Sequence, residues 1–146
     1  MKRLKALLEK LHPGSIGGTG DDRNLQVIAA ALMVEVARAD NQFTEQEVQT
    51  ILDLVCNQYD LSSDEAEELL NLATQEADQS RSLFELAREV DLKLNYNEKR
   101  QLLSNLWKVA YADQDKHKYE EYIIRKLADL LHLSHRDFVQ TRMEFE

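Results

Sequence analysis

Two pairs of acidic residues stand at matching places in this 146-residue chain, and their spacing is the pattern that could do chemistry. Ala37-Arg38-Ala39-Asp40 is followed, seven positions past the aspartate, by Glu47, and Ala110-Tyr111-Ala112-Asp113 is followed at the same distance by Glu120. A carboxylate at the end of one helix and another in the first turn of the next can converge across a short loop. Hard cations such as calcium or magnesium are held by several oxygens of this kind. Asp40, Glu47, Asp113 and Glu120 are therefore the candidate metal ligands, and a divalent cation is the candidate cofactor. The spacing is not that of an EF-hand, which alternates oxygen ligands and ends on a glutamate at its twelfth position. A structural reading competes with the metal one: Thr44 and Glu47 have the spacing of a capping box, and Asp40 can satisfy loop N–H groups. In the second corner Lys116, His117 and Lys118 would oppose a bound cation.

The remaining reactive side chains point to packing. Asp129, His132 and His135 have i, i+3 spacing but straddle a helix end, where histidine commonly caps. Cys56, the single cysteine, lies beside an apolar stripe and reads as a packed thiol, while Trp107 adjoins a core stripe and reads as a core or edge anchor. One cysteine excludes an internal disulfide and a CxxC zinc site. The chain has no Ser/His/Asp set, P-loop or dinucleotide fingerprint, so no catalytic residue is assigned and no enzyme is expected.

The elements that must position the acidic pairs are all helices. One proline and four glycines in the whole chain argue against strands and tight turns, and no segment alternates with a period of two. The first helix of the main domain is expected over 22–39, with Leu25, Ile28, Ala29, Leu32 and Val36 on one face. The next runs over 44–59 and buries Val48, Ile51, Leu52 and Val55. Further helices open at Ser62 (carrying Leu69, Leu70 and Ala73), at Ser82 (Leu86, Ala87, Val90) and at Asn95 (Leu102, Leu103, Leu106, Val109, Ala110). Another spans 116–131 with Tyr119, Ile123 and Leu127 inward, and the last begins at Ser134 with Phe138. Ser62 with Glu65, Ser82 with Glu85, and Asn95 with Glu98 repeat the capping-box spacing.

The second half echoes the first at an offset of 73 positions: Met33 with Leu106, Val36 with Val109, Asp40 with Asp113, Glu47 with Glu120, Ile51 with Ile124. Leu61-Ser62 then matches Leu133-Ser134 at an offset of 72. Helical periodicity alone could align apolar positions; it does not produce the acidic pair or the Leu-Ser junction, which point to a duplication.

At these residues the chain resembles the TerB tellurite-resistance family and the related N-terminal domain of the DjlA co-chaperone, over about residues 22–144. The family's mark is Ala-Asp-Gly followed by a glutamate opening the next helix, with an echo in the second half. Asp40 with Glu47 and Asp113 with Glu120 match it, whereas the glycine is replaced by Asn41 and Gln114. The resemblance implies an all-α bundle of about seven to eight helices with an internal pseudo-twofold repeat and no catalytic activity. It further implies a link to bacterial stress and tellurite resistance, with metal sensing and scaffolding near the membrane. No J-domain motif is present, so co-chaperone activity is not carried over.

Charge narrows the partners. The net charge is −9; residues 1–12 carry Lys2, Arg3, Lys5 and Lys10 against Glu9, a local +3 that leaves −12 on the remainder. So acidic a body repels phosphate backbones, and nucleic acid is not an expected partner. From Asp60 to Ser80 there are seven acidic residues and no basic one, which reads either as an acidic docking face or as a solvated helix face. Residues 1–12 form an amphipathic helix with Leu4, Leu7, Leu8 and Leu11 as the candidate interaction stripe, 13–21 a glycine-rich flexible linker, and 22–146 the helical domain. The basic, leucine-striped helix suits an acidic membrane surface or a groove of this molecule or a neighbour. No signal-peptide core or membrane span is expected, which suggests a cytoplasmic protein, peripheral to the inner membrane if residues 1–12 bind it. The sequence assigns no oligomeric state. Two functions follow: a non-enzymatic interaction or scaffold module with a protein partner, or a divalent-cation sensor built on the two corners.

Overall fold

The computed structural model of the chain describes residues 20–39, 44–79, 82–112 and 118–145. These form seven helices: α1 (Gly20–Ala37), α2 (Glu45–Tyr59), α3 (Ser63–Asp78), α4 (Leu83–Lys93), α5 (Tyr96–Ala110), α6 (Lys118–Leu130) and α7 (His135–Met143). No strand occurs among the described residues, so the all-α expectation holds. The expected helix over 1–12, with Leu4, Leu7, Leu8 and Leu11, lies outside the described residues. So does the linker up to residue 19. Helix α1 starts at Gly20, two residues before the expected start, so Gly20 and Asp21 are helical rather than linker.

Helix starts follow from local chemistry. The first N–H groups of a helix have no intrahelical acceptor, and a short polar side chain just before the helix supplies one. Thr44, Ser62 and Asn95 do so, and their own N–H groups donate in return to the carboxylates of Glu47, Glu65 and Glu98, forming full capping boxes. Ser82 and Ser134 accept from the N–H groups of Glu85 and Asp137.

Corresponding helices of the two halves end alike. Ala39 N–H donates to Val36 O at 3.2 Å, and Ala112 N–H to Val109 O at 3.2 Å, so α1 and α5 end in the same turn. Helices α2 and α6 both close through a residue in the left-handed region, Asp60 (φ 55°) and His132 (φ 61°). The following leucines then donate back, Leu61 to Cys56 O at 3.2 Å and Leu133 to Ala128 O at 2.9 Å. Asp and His tolerate that conformation better than branched residues do, so neither turn requires glycine. In this alignment α1–α3 correspond to α5–α7, and α4 has no counterpart among the described residues.

Helix α1 departs from expectation. It was expected to present one apolar face, yet every residue from Ile28 to Val34 is buried, with Val36 and Ala37. The cause is its position: α2, α3, α4, α5 and α6 all pack on it. An apolar helix with no polar side belongs at the centre of a bundle. Its counterpart α5 is the second central helix, buried from Leu102 to Trp107 and at Val109 and Ala110. The other helices behave as ordinary amphipathic walls. Ile51 and Val55 of α2 are buried while Val48 and Leu52 are half-buried; in α6, Ile124 and Leu127 are buried and Ile123 is half-buried. The expected inward position of Tyr119 concerns a side chain outside the described ones. Helix α4 turns Leu86, Ala87 and Val90 inward and leaves Phe84 56% and Leu92 72% exposed.

Two carboxylates tie the walls together. Asp91 of α4 accepts from Lys99 Nζ at 2.5 Å and pairs with His132 Nδ1 at 3.0 Å. Asp137 of α7 accepts from the Tyr96 hydroxyl and from Arg100 Nε at 3.2 Å. The hydrogen bond from Lys99, with His132 second, holds the Asp91 carboxyl below the usual carboxylate range; for Asp137 the Tyr96 hydroxyl does so, aided by Arg100. A depressed folded value means stability that is present above the unfolded value and is lost as pH falls through the folded one. Urea midpoints should therefore drop as pH falls from about 5 toward 2. Asp91→Asn and Asp137→Asn should each flatten that slope; an unchanged slope in both would place the acid sensitivity elsewhere.

Candidate functional site

The two corners present one feature in common. Glu47 in the first turn of α2 is 1% exposed and Glu120 in the first turn of α6 is 0% exposed; they are the two buried carboxylates among the described residues. Glutamate is seldom fully buried without partners, so two at equivalent positions mark the corners as built structure. At the first corner the partners are clear. Glu47 Oε1 accepts from Thr44 N–H at 2.9 Å and from Thr44 Oγ1 at 3.0 Å, and Thr44 Oγ1 in turn accepts from Glu47 N–H at 3.2 Å. The expected capping box is thus present, and one oxygen of the candidate ligand is engaged in it.

Asp40 and Asp113, the other half of each candidate pair, lie outside the described residues, as do Asn41, Gln114, Lys116 and His117. The structure therefore places Glu47 and Glu120 without placing the acids that would complete a cation site. Among the described residues there is no group of three or more His, Cys, Asp or Glu side chains that could hold a metal. The Asp129, His132 and His135 set is split: His132 turns to Asp91 at 3.0 Å, while His135 stacks on Phe138 with ring centroids 6.1 Å apart. Cys56 is a free, half-buried thiol whose Sγ lies 3.9 Å from Ser62 O.

A second site was not legible in the sequence. A cleft of about 260 Å³ opens between the middle of α1, the end of α2 and the first half of α5. Three side-chain amides border it, Gln26, Gln58 and Gln101, together with Tyr59 and Glu98. Asn105 connects two of the amides, donating to Gln58 Oε1 at 3.0 Å and accepting from Gln101 Nε2 at 3.1 Å. Burial pushes the Tyr59 phenol up to about 12, so it stays neutral and keeps its proton at physiological pH. Amides carry no periodicity that marks them as neighbours, and Gln58 and Asn105 are 47 positions apart.

The family model described as tellurite resistance protein TerB matches residues 26–143, which spans α1 from its second turn to the end of α7. The chain belongs to the TerB family. Searches of curated proteins and of solved structures each return no significant match. In this TerB chain the matched region contains the buried segments of both central helices, both buried glutamates and the three amides that border the cleft. Among the described residues no helix is long and apolar enough to cross a membrane.

Proposed function

We propose that this TerB chain is a non-enzymatic interaction or scaffold module, serving a bacterial stress or tellurite-resistance response in the cytoplasm or at the inner face of the membrane. The supporting observation is the outward face of α3. This helix carries Asp64, Glu65, Glu67, Glu68, Glu76 and Asp78 and no basic residue. Asp64, Glu67, Asn71 and Gln75 are exposed along it, and Arg38 offsets only the far end, through Asp78 at 2.6 Å. An anionic face over the first half of a helix, continued by exposed amides, fits a basic protein segment, for which it supplies steering and register. A lysine-rich helical peptide serves as the probe. Its amide-shift footprint should concentrate on Asp64, Glu67, Glu68 and Asn71, weaken with salt, and vanish in Asp64→Lys/Glu67→Lys. A footprint spread evenly over the acidic surface would show unspecific attraction and sink the dedicated face.

A second reading is favoured by the equivalent burial of Glu47 and Glu120 directly after the Asp40 and Asp113 loops. In it, Asp40 with Glu47, and Asp113 with Glu120, bind calcium or magnesium and signal its presence. Calorimetric titration with each ion should give a saturable heat that Asp40→Asn removes. An absence of heat, or diffuse salt-screened shifts along Asp64 to Asp78, overturns it.

A further inference from the structure

We propose that the cleft between α1, α2 and α5 is the seat of the chain's own residues 1–12, which dock there in cis through their leucine stripe. The first argument is the shape and lining of the cleft. Its floor is apolar and buried, formed by Ala29, Met33 and Leu102, while Leu25, Tyr59 and Leu94 stand half-buried as its walls. At about 260 Å³ it admits side chains rather than a whole helix, so a helix would lie across it and insert leucines.

The second argument is reach. Residues 1–19 lie outside the described ones and join α1 at Gly20. Leu25, the nearest wall, is about 7.5 Å along α1 from that junction at 1.5 Å per residue. A linker over 13–19 can extend to about 25 Å, so Leu4, Leu7, Leu8 and Leu11 can return to the cleft without strain. Gly14, Gly17 and Gly18 let the chain reverse direction there.

The third argument is polar complementarity. Residues 1–12 carry a local +3, and no basic side chain lines the cleft, whose rim instead holds Glu98. Lys99 and Arg100, the nearest cations on α5, are committed to Asp91 and Asp137. Gln26, on the border, has a buried Oε1 that accepts no hydrogen bond among the described residues. A buried amide oxygen in that state favours an incoming donor, and a lysine head group or a backbone N–H of the docked segment would be one.

The outer face of α4 is the rival seat. Phe84 and Leu92 are exposed on it with Arg88 between them in the same i, i+4 row, and Asp91 and Asp129 border the same hollow, so a basic helix seated there would shift Phe84 and Leu92 instead. The inference is independent of the acidic-face reading, because α3 contributes nothing to the cleft and neither variant below alters it.

The test uses the full chain. In Leu7→Asp/Leu8→Asp, amide resonances of Leu25, Gln26, Ala29, Tyr59 and Gln101 should shift, equally at low and high protein concentration, with α3 unchanged. In Gln101→Lys, a cation on the exposed rim should release the basic segment and speed tryptic cleavage after Lys5 and Lys10 about two- to fivefold. Shifts at Phe84 and Leu92 in their place, shifts that depend on protein concentration, or no shift at all would overturn docking in cis at this cleft. So would an unchanged cleavage rate in Gln101→Lys.

Discussion

Ala31→Glu should cost the protein about 3–5 kcal/mol or more, because it places an unpaired carboxylate at the centre of α1. Ala31 is fully buried, and five helices pack around the segment that holds it. Against a typical domain stability of about 5–15 kcal/mol this is a large fraction, and part of the population should be unfolded without denaturant. The urea midpoint followed by far-UV circular dichroism measures it. The same change at Asn24, an exposed position on the same helix, should move stability by no more than about 0.5 kcal/mol and serves as the control. The result separates two pictures of α1. On a one-faced helix defined by Leu25, Ile28, Ala29, Leu32 and Val36, Ala31 sits off the stripe and a glutamate would be tolerated. On a central helix it is not.

The second large effect is expected at Trp107→Ala, at about 3–5 kcal/mol. Trp107 is the largest fully buried side chain, with its ring centroid 5.3 Å from that of Phe138 and 6.0 Å from that of Tyr111. Phe138 is covered in turn by the Arg125 guanidinium, 4.9 Å from its ring centroid. The tryptophan thus joins α5 to α7, and through Phe138 to α6. Truncation leaves a cavity that the rigid crossing of these helices cannot close. Its counterpart in the first half is Val34, also fully buried, so the two halves fill the same place with very different volumes. A loss below about 1 kcal/mol in Trp107→Ala would mean that α7 is held mainly by the Asp137 contacts.

Much of this fold was legible in the sequence, and its physical basis is local. Thr44, Ser62, Ser82, Asn95 and Ser134 all precede helices because each offers an oxygen to N–H groups that no backbone carbonyl can reach. The duplication was legible because acids and a Leu-Ser junction do not recur by helical periodicity alone. The surroundings of α1 were not. Alanine is compatible with either face of a helix, so Ala30 and Ala31 left the pattern open, and only the helices packed on both sides of them decide it. The burial of Glu47 and Glu120 was equally hidden, since glutamate is ordinarily a surface residue and nothing in the spacing says where the carboxylate points. At the corners the sequence proposed four acids; the structure describes two of them and assigns the first a role in starting α2.

The burial of α1 and α5 has a kinetic consequence. Each is walled in by helices from both halves of the duplication, so neither half holds a complete core that could survive the departure of the other. Amide protons from Ile28 to Val34 and from Leu102 to Trp107 should therefore exchange with solvent only when the whole molecule opens, at one shared free energy. Those at the outer ends of α4 and α7 should exchange through smaller, independent fluctuations. The two echoing halves thus form one cooperative unit, with its slowest-exchanging protons in the two helices that correspond.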